Sequence, residues 1–199
     1  MTQPTRPDYP IADLMLKRTS PRAFSPEPMA PAALRQCLEA LRWAPSCFNA
    51  QPWRLLVAPR QDEAAFAALT GCLVEGNRIW AAQASVIGVA LAVSHFEHNG
   101  KPNAWAQHDV GLGLAQLNLQ AVALGYATHL MGGFDKNAVR ALANVPEGAE
   151  PLVAFVIGKE ADPSVLPESL RDKECAPRTR KAQADWVFST HYGTPLNLG

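Results

Sequence analysis

Apolar residues recur along this chain in two rhythms. Leu34, Cys37, Leu38 and Leu41 follow Pro31 at intervals of three and four, predicting a helix with one apolar face. Proline suits the first turn, where its missing N–H would have no helical partner. That helix must end near Ala44, because Pro45 disfavours helical geometry in the residue before it. Residues 11–17 predict a shorter first helix ending at Lys17 and Arg18; Pro26, Pro28 and Pro31 mark an extended stretch after it. Residues 62–71, closed by Gly71, and 136–143 predict two more helices. The longest helical pattern runs over residues 104–124. Val110, Leu114, Leu117, Ala121 and Leu124 make one stripe, and Leu112, Ala115, Leu119 and Val122 a second. A helix apolar on most of its circumference belongs at the centre of a domain or in a subunit interface.

Residues 84–93 (ASVIGVALAV) are apolar without alternation, which predicts a strand covered on both faces. The run is about half the length needed to span a bilayer. Residues 54–58, 128–131 and 152–157 predict further strands, and 95–103 (HFEHNGKPN) a polar loop. From about residue 160 the chain is rich in proline and charge and reads as an arm. Mixed helices and strands in this order predict helices framing a sheet.

Composition narrows the partners. Hydrophobic residues make up 48% and charged residues 18% of the 199, a globular profile, expected to form one domain over residues 1–199. Eighteen basic residues balance eighteen acidic ones. No general attraction to nucleic acid or acidic membranes is therefore expected. Few charges also leave apolar surface free for self-association. Cys37, Cys47, Cys72 and Cys175 form no C-x-x-C pair, so reduced thiols in the cytoplasm are expected. MTQPTRPDYP has no apolar core, so no signal peptide is expected there.

Several chemistries are excluded by pattern. Gly111 and Gly113 begin a G-x-G-x-x-G string, but Gln116 fills its third position and all three lie in a predicted helix. There is no P-loop, no G-x-S-x-G and no H-E-x-x-H. His95 and His98 are three apart in a loop, a metal pair only if an acid or cysteine joined them.

Three segments carry chemistry. In residues 17–24, Arg18 and Arg22 bracket Ser20 at a helix end, which suits a phosphate and a neighbouring polar edge. A solvated basic turn would look the same. In residues 44–53, two prolines frame Ser46, Asn49 and Gln51, whose amides and hydroxyl can read the edge of a heterocycle. A turn between helix and strand is the plain alternative. In residues 125–135 a short strand ends in Gly132 and Gly133, where main chain can approach a flat ligand. Arg178, Arg180 and Lys181 add late positive charge, which a solvated basic tail would also supply.

Together these strings resemble the nitroreductase family of FMN enzymes. The motifs are R-x-S-x-R, A-P-S-x-x-N-x-Q-P-W, N-x-x-W at Asn77 to Trp80, D-x-G at Asp109 to Gly111, G-G-F-D and R-x-R-K, in that order over roughly residues 12–195. The resemblance implies an α+β fold: a central, mostly antiparallel sheet flanked by helices, with a long buried helix at a homodimer interface. It implies FMN as cofactor and NADH or NADPH as donor. The acceptor would be a small electron-poor molecule such as a nitroaromatic or quinone, reached by ping-pong kinetics without an obligatory acid–base side chain. Arg18, Arg178 and Arg180 are implied toward the phosphate, with Lys181 a third late candidate, Ser20 beside them, and Arg22 toward the N1/O2 edge. Pro45, Ser46, Cys47 and Asn49 are implied to reach the flavin from the other subunit, with Gln51 in support. Gly132 and Gly133 would line the ring near N5. Cys47 stands where serine is common, and Thr19 replaces a frequent arginine. Asp109 is expected to be a helix cap. Residues 95–105 are expected to form a lid, with Phe96 and Trp105 stacking on the acceptor or Trp105 anchoring the long helix. A flavin-fragmenting or dehalogenating relative, or a flavin carrier or sensor without turnover, are the alternatives.

Overall fold

The computed structural model describes residues 7–198. Part of the expected absence of a signal peptide therefore falls on residues 1–6, outside the described residues. Four strands, β1 (Trp53–Pro59), β2 (Val86–Val93), β3 (Ala127–Met131) and β4 (Ala149–Gly158), lie in the order β1-β2-β4-β3. Every neighbouring pair is antiparallel. The central strand β2 is buried from Val86 to Ala92, as its unbroken apolar run predicts. A bulge between Ala90 and Leu91 shifts its register against β4.

Side chains of β4 alternate between two apolar clusters, because successive residues of a strand face opposite sides. Ala154 and Val156 join Ile87 and Val89 of β2 against Phe66 and Leu69 of α3 (Glu63–Gly71), Trp80 of α4 (Glu75–Ala81) and Val139 of α6 (Lys136–Ala143). Phe155 and Ile157 join Val86 and Ala90 against Cys37 and Leu41 of α2 (Pro31–Arg42) and Val110, Leu114 and Leu117 of α5 (Ala106–Ala123). This is the α+β arrangement expected, with helices on both faces of one antiparallel sheet. Gly113 now has a structural reason. A Cβ there would lie 3.0 Å from Cγ of Leu41, so glycine lets α5 pack closely on α2.

The apolar circumference of α5 divides unevenly. Its first stripe is buried at Val110, Leu114, Leu117 and Ala121. Along the second, Leu112, Leu119 and Val122 are half-buried and Ala115 is exposed. One chain thus covers one stripe.

Acidic side chains start two of the predicted helices. Asp62 accepts from the N–H of Ala65 at 3.1 Å, and Asp135 from those of Asn137 and Ala138 at 2.8 and 3.0 Å. The pattern does not predict α4, α7 (Glu168–Cys175) within the arm, or the extension of β4 back to Ala149. Helix α7 buries none of its residues, so its sequence carries no apolar rhythm. Among the described residues, no helix is long and apolar enough to cross a membrane. All four cysteines are free, and burial pushes the Cys37 thiol up to about 11.

Candidate active site

The basic turn after α1 (Asp13–Lys17) is tied to the sheet at several points. Nδ1 of His129, on β3, is 2.8 Å from the Pro21 carbonyl. Ser25 N–H donates to the Lys159 carbonyl and Ala161 N–H to that of Ala23, both at 2.9 Å, so residues 23–25 run along the chain leaving β4. Between them Phe24 is buried and stacks on Trp80 with ring centroids 6.3 Å apart. Residues 18–22 are thereby held rigidly at the sheet's end.

These residues form one wall of a cavity of about 570 Å³. Residues 160–163, residues 173–176, Arg178 and Arg180 form the rest. Arg18 Nη1 donates to the Thr19 carbonyl at 2.9 Å and to Ser20 Oγ at 3.0 Å. Arg178 Nη1 donates to the Leu16 carbonyl at 2.7 Å, which docks the arm against α1. The pKa of Arg18 is lowered, first by burial and then by the charges of Arg178 and Arg180. Three guanidinium groups of the cavity lining therefore lie near enough to repel one another. A phosphate dianion would relieve that repulsion and accept forked hydrogen bonds from them, so the donor set fits the phosphate of FMN.

The cavity also holds a carboxylate not anticipated from the sequence. Glu174 Oε1 accepts from the N–H groups of Arg22 and Ala23 at 2.8 and 3.1 Å, and Oε2 lies 3.8 Å from Nη1 of Arg22. Nothing in the polar string of α7 distinguishes Glu174 from its charged neighbours. Glu160 accepts from the Thr19 hydroxyl at 2.5 Å.

Residues 45–51 lie elsewhere; none lines this cavity. A short 3-10 turn at Cys47–Asn49 places Phe48, Asn49 and Gln51 at φ of 51°, 54° and 46°, left-handed backbone rare for such residues. The turn is held by its own polar groups. Ser46 Oγ accepts from Gln51 N–H at 3.0 Å, and Gln51 Nε2 donates to Asn49 Oδ1 at 3.2 Å. Here the reading of Asp109 is corrected. It sits inside the first turn of α5, is 2% exposed, and accepts from the Cys47 N–H at 2.8 Å instead of capping the helix. Its second oxygen is 3.0 Å from His108 Nδ1.

The 95–105 segment closes on itself through a bridge between His95 and Pro102. Phe96 packs against Phe48 at 5.8 Å, so it rests on the 45–51 turn of its own chain. Trp105 is 57% exposed at the start of α5, which is inconsistent with a buried anchor. Gly132 is open to solvent, whereas a Cβ on Gly133 would lie 2.7 Å from Asn77 Nδ2 and 2.9 Å from Val74 Cγ2. Gly133 therefore packs closely on side chains at the start of α4, whose Asn77 side chain donates to the Gly133 carbonyl at 3.0 Å. One chain brings together Arg18, Ser20, Arg22, Arg178 and Arg180. Pro45, Ser46, Cys47, Asn49 and Gln51, and likewise Gly132 and Gly133, are outside that cavity's lining. Among the described residues no group of three or more His, Cys, Asp or Glu is placed to hold a metal ion.

Known proteins share this fold. A crystal structure described as an oxidoreductase containing FMN superposes with a TM-score of 0.90 at 36% identity, covering 95% of this chain and 96% of that one. A nitroreductase family protein from Clostridium difficile has the same fold, with a TM-score of 0.71 at 22% identity over 92% of this chain and 99% of its own. In sequence, an NADH dehydrogenase of Thermus thermophilus is 33% identical over 180 residues, spanning 74% of this chain and 85% of that protein. The Nitroreductase family profile matches residues 15–159, from α1 to the end of β4. The turn that carries Arg18, the sheet that holds it and the helices on both faces thus lie within one matched stretch, and the chain belongs to the Nitroreductase family.

Proposed function

We propose that this chain is an FMN-dependent oxidoreductase that passes electrons from NADH or NADPH to a small electron-poor acceptor, such as a nitroaromatic or a quinone. The observation that carries this reading is the crowding of Arg18 by Arg178 and Arg180 in the lining of a cavity of about 570 Å³. The FMN-containing relative at 36% identity supports the cofactor, and the Thermus NADH dehydrogenase supports the donor.

When bound, the flavin supplies the hydride chemistry. The chain supplies position and charge. Arg18, Arg178 and Arg180 would hold the phosphate, with Ser20 kept in place by Arg18. Arg22 would face the edge of the ring on which reduction puts negative charge, acting as a fixed electrostatic stabiliser. Pro45, Ser46, Cys47 and Asn49, braced by Gln51, would come from a second copy of the chain, and Gly132 and Gly133 would bring main chain to the ring. Donor and acceptor would use one open face in turn, giving ping-pong kinetics.

The purified protein is expected to be yellow and to release FMN on denaturation. Chromatography of the released flavin tests this, and FAD or no flavin from a fully loaded preparation would refute it. Oxidation of NAD(P)H with an added quinone then separates turnover from mere flavin carriage.

A further inference from the structure

Glu174 is an acid in a cavity crowded with cations, and its side chain is only 9% exposed. The other acids lining the cavity are engaged by neutral partners. Glu160 accepts from the Thr19 hydroxyl, and Asp162 from the N–H of Ser164 at 2.9 Å. Glu174 differs in two ways. One oxygen is shared by two consecutive main-chain donors, Arg22 and Ala23, so the carboxylate fixes the backbone from which the Arg22 side chain projects. Its second oxygen stands 3.8 Å from the Arg22 guanidinium. That distance is long for a hydrogen bond but short for a Coulomb interaction away from bulk water. The cavity thus holds two kinds of charge neighbourhood. Around Arg18 guanidinium groups repel each other, and at Arg22 a guanidinium stands beside a carboxylate.

We infer that Glu174 is a positioning residue for Arg22 and the charge that limits how strongly this part of the cavity stabilises an anion. The inference rests on the FMN reading above, under which that anion is the reduced ring. An arginine alone would favour the reduced, anionic form strongly. A carboxylate beside it moderates that preference and keeps the electrons transferable. Glu174 thereby sets electron affinity without touching the acceptor.

Two substitutions separate clamp from charge. Glu174→Gln keeps an oxygen for the two N–H groups and removes the charge; Glu174→Ala removes both. In spectroelectrochemical titration of the FMN-loaded proteins, Glu174→Gln should have a higher midpoint potential than wild type, and Glu174→Ala, which also frees the Arg22 backbone, a smaller rise. At the wild-type midpoint the reduced-to-oxidised ratio of Glu174→Gln should be about tenfold higher, the scale of one charge-assisted contact. Amide exchange in the flavin-free proteins should stay slow at Arg22 and Ala23 in Glu174→Gln and become fast in Glu174→Ala. An unchanged potential in Glu174→Gln would overturn the charge-setting role. Unchanged exchange in Glu174→Ala would overturn the clamp. A wild-type protein that takes up no FMN would refute the cofactor reading and, with it, the tuning of a flavin, while the exchange comparison still decides the clamp.

Discussion

His129 couples the stability of the basic turn to pH. Burial lowers its pKa from 6.5, against the opposing effect of the Pro21 carbonyl it bonds. A depressed imidazole resists protonation in the folded state, so the unfolded chain binds more protons between the two pKa values. The associated stability is complete above 6.5 and is lost as pH falls through and below it. Thermal midpoints measured from about pH 7 down to about pH 5 should fall, with a shallower slope in His129→Gln. Equal slopes would show that another group carries the effect. Arg22→Ala should lower the potential of bound FMN and slow its reduction by NAD(P)H even at saturating FMN. Losing a charge-assisted contact of about 1.5–3 kcal/mol corresponds to roughly 30–65 mV for a two-electron couple. Glu174 already offsets part of that charge, so the lower end is expected. A potential equal to that of wild type would remove Arg22 from the ring edge.

Helix α5 offers a test at the scale of an element, because its two stripes face different surroundings. Leu117 is fully buried against the sheet, and Leu117→Ala should cost about 2–5 kcal/mol in denaturant unfolding. Leu119 is half-buried on the second stripe. If α5 forms the interface of the proposed dimer, Leu119→Asp should leave the fold intact and give a monomer in light scattering where the unaltered chain gives a dimer; equal masses for the two would place any interface elsewhere. Legibility in the sequence follows the same division. Elements that bury one continuous face, such as α2 and β2, show it in their spacing, and α6 is framed by its Asp135 cap and the left-handed Asn144 at its end. Helix α4 spans only seven residues and contains Gly76, and α7 sets only Leu170 against the core, so neither has a rhythm to read. The site divides likewise. Arg18, Ser20 and Arg22 are neighbours in sequence and readable together, whereas their meeting with Arg178 and Arg180 depends on an arm folding back onto α1. Glu174 was invisible because its role comes from two backbone donors about 150 residues away, which no local pattern records.

At the scale of the whole molecule, the separation of the 45–51 turn from the arginine cavity motivates a complementation experiment. If each site joins Arg18 of one chain to Asn49 of another, homodimers of Arg18→Ala or of Asn49→Ala should bind FMN poorly at both sites. Isolated heterodimers of the two variants carry one doubly altered and one intact site, and should regain up to half the wild-type flavin. No recovery, while wild-type chains survive the same reassembly, would refute shared sites. The strand order has a further consequence, for synthesis. The innermost ladder pairs Val86 of β2 with Ile157 of β4, so the most apolar strand meets that partner only after roughly seventy more residues have been made. At ordinary translation speeds that is a wait of about 4–14 s, with one edge of β2 able to pair with β1 alone. A nascent chain in that interval presents a ready template for edge-to-edge aggregation. The yield of this protein in a cell should therefore depend on chaperone supply and growth temperature more than the finished sheet, with β2 paired on both sides, would suggest.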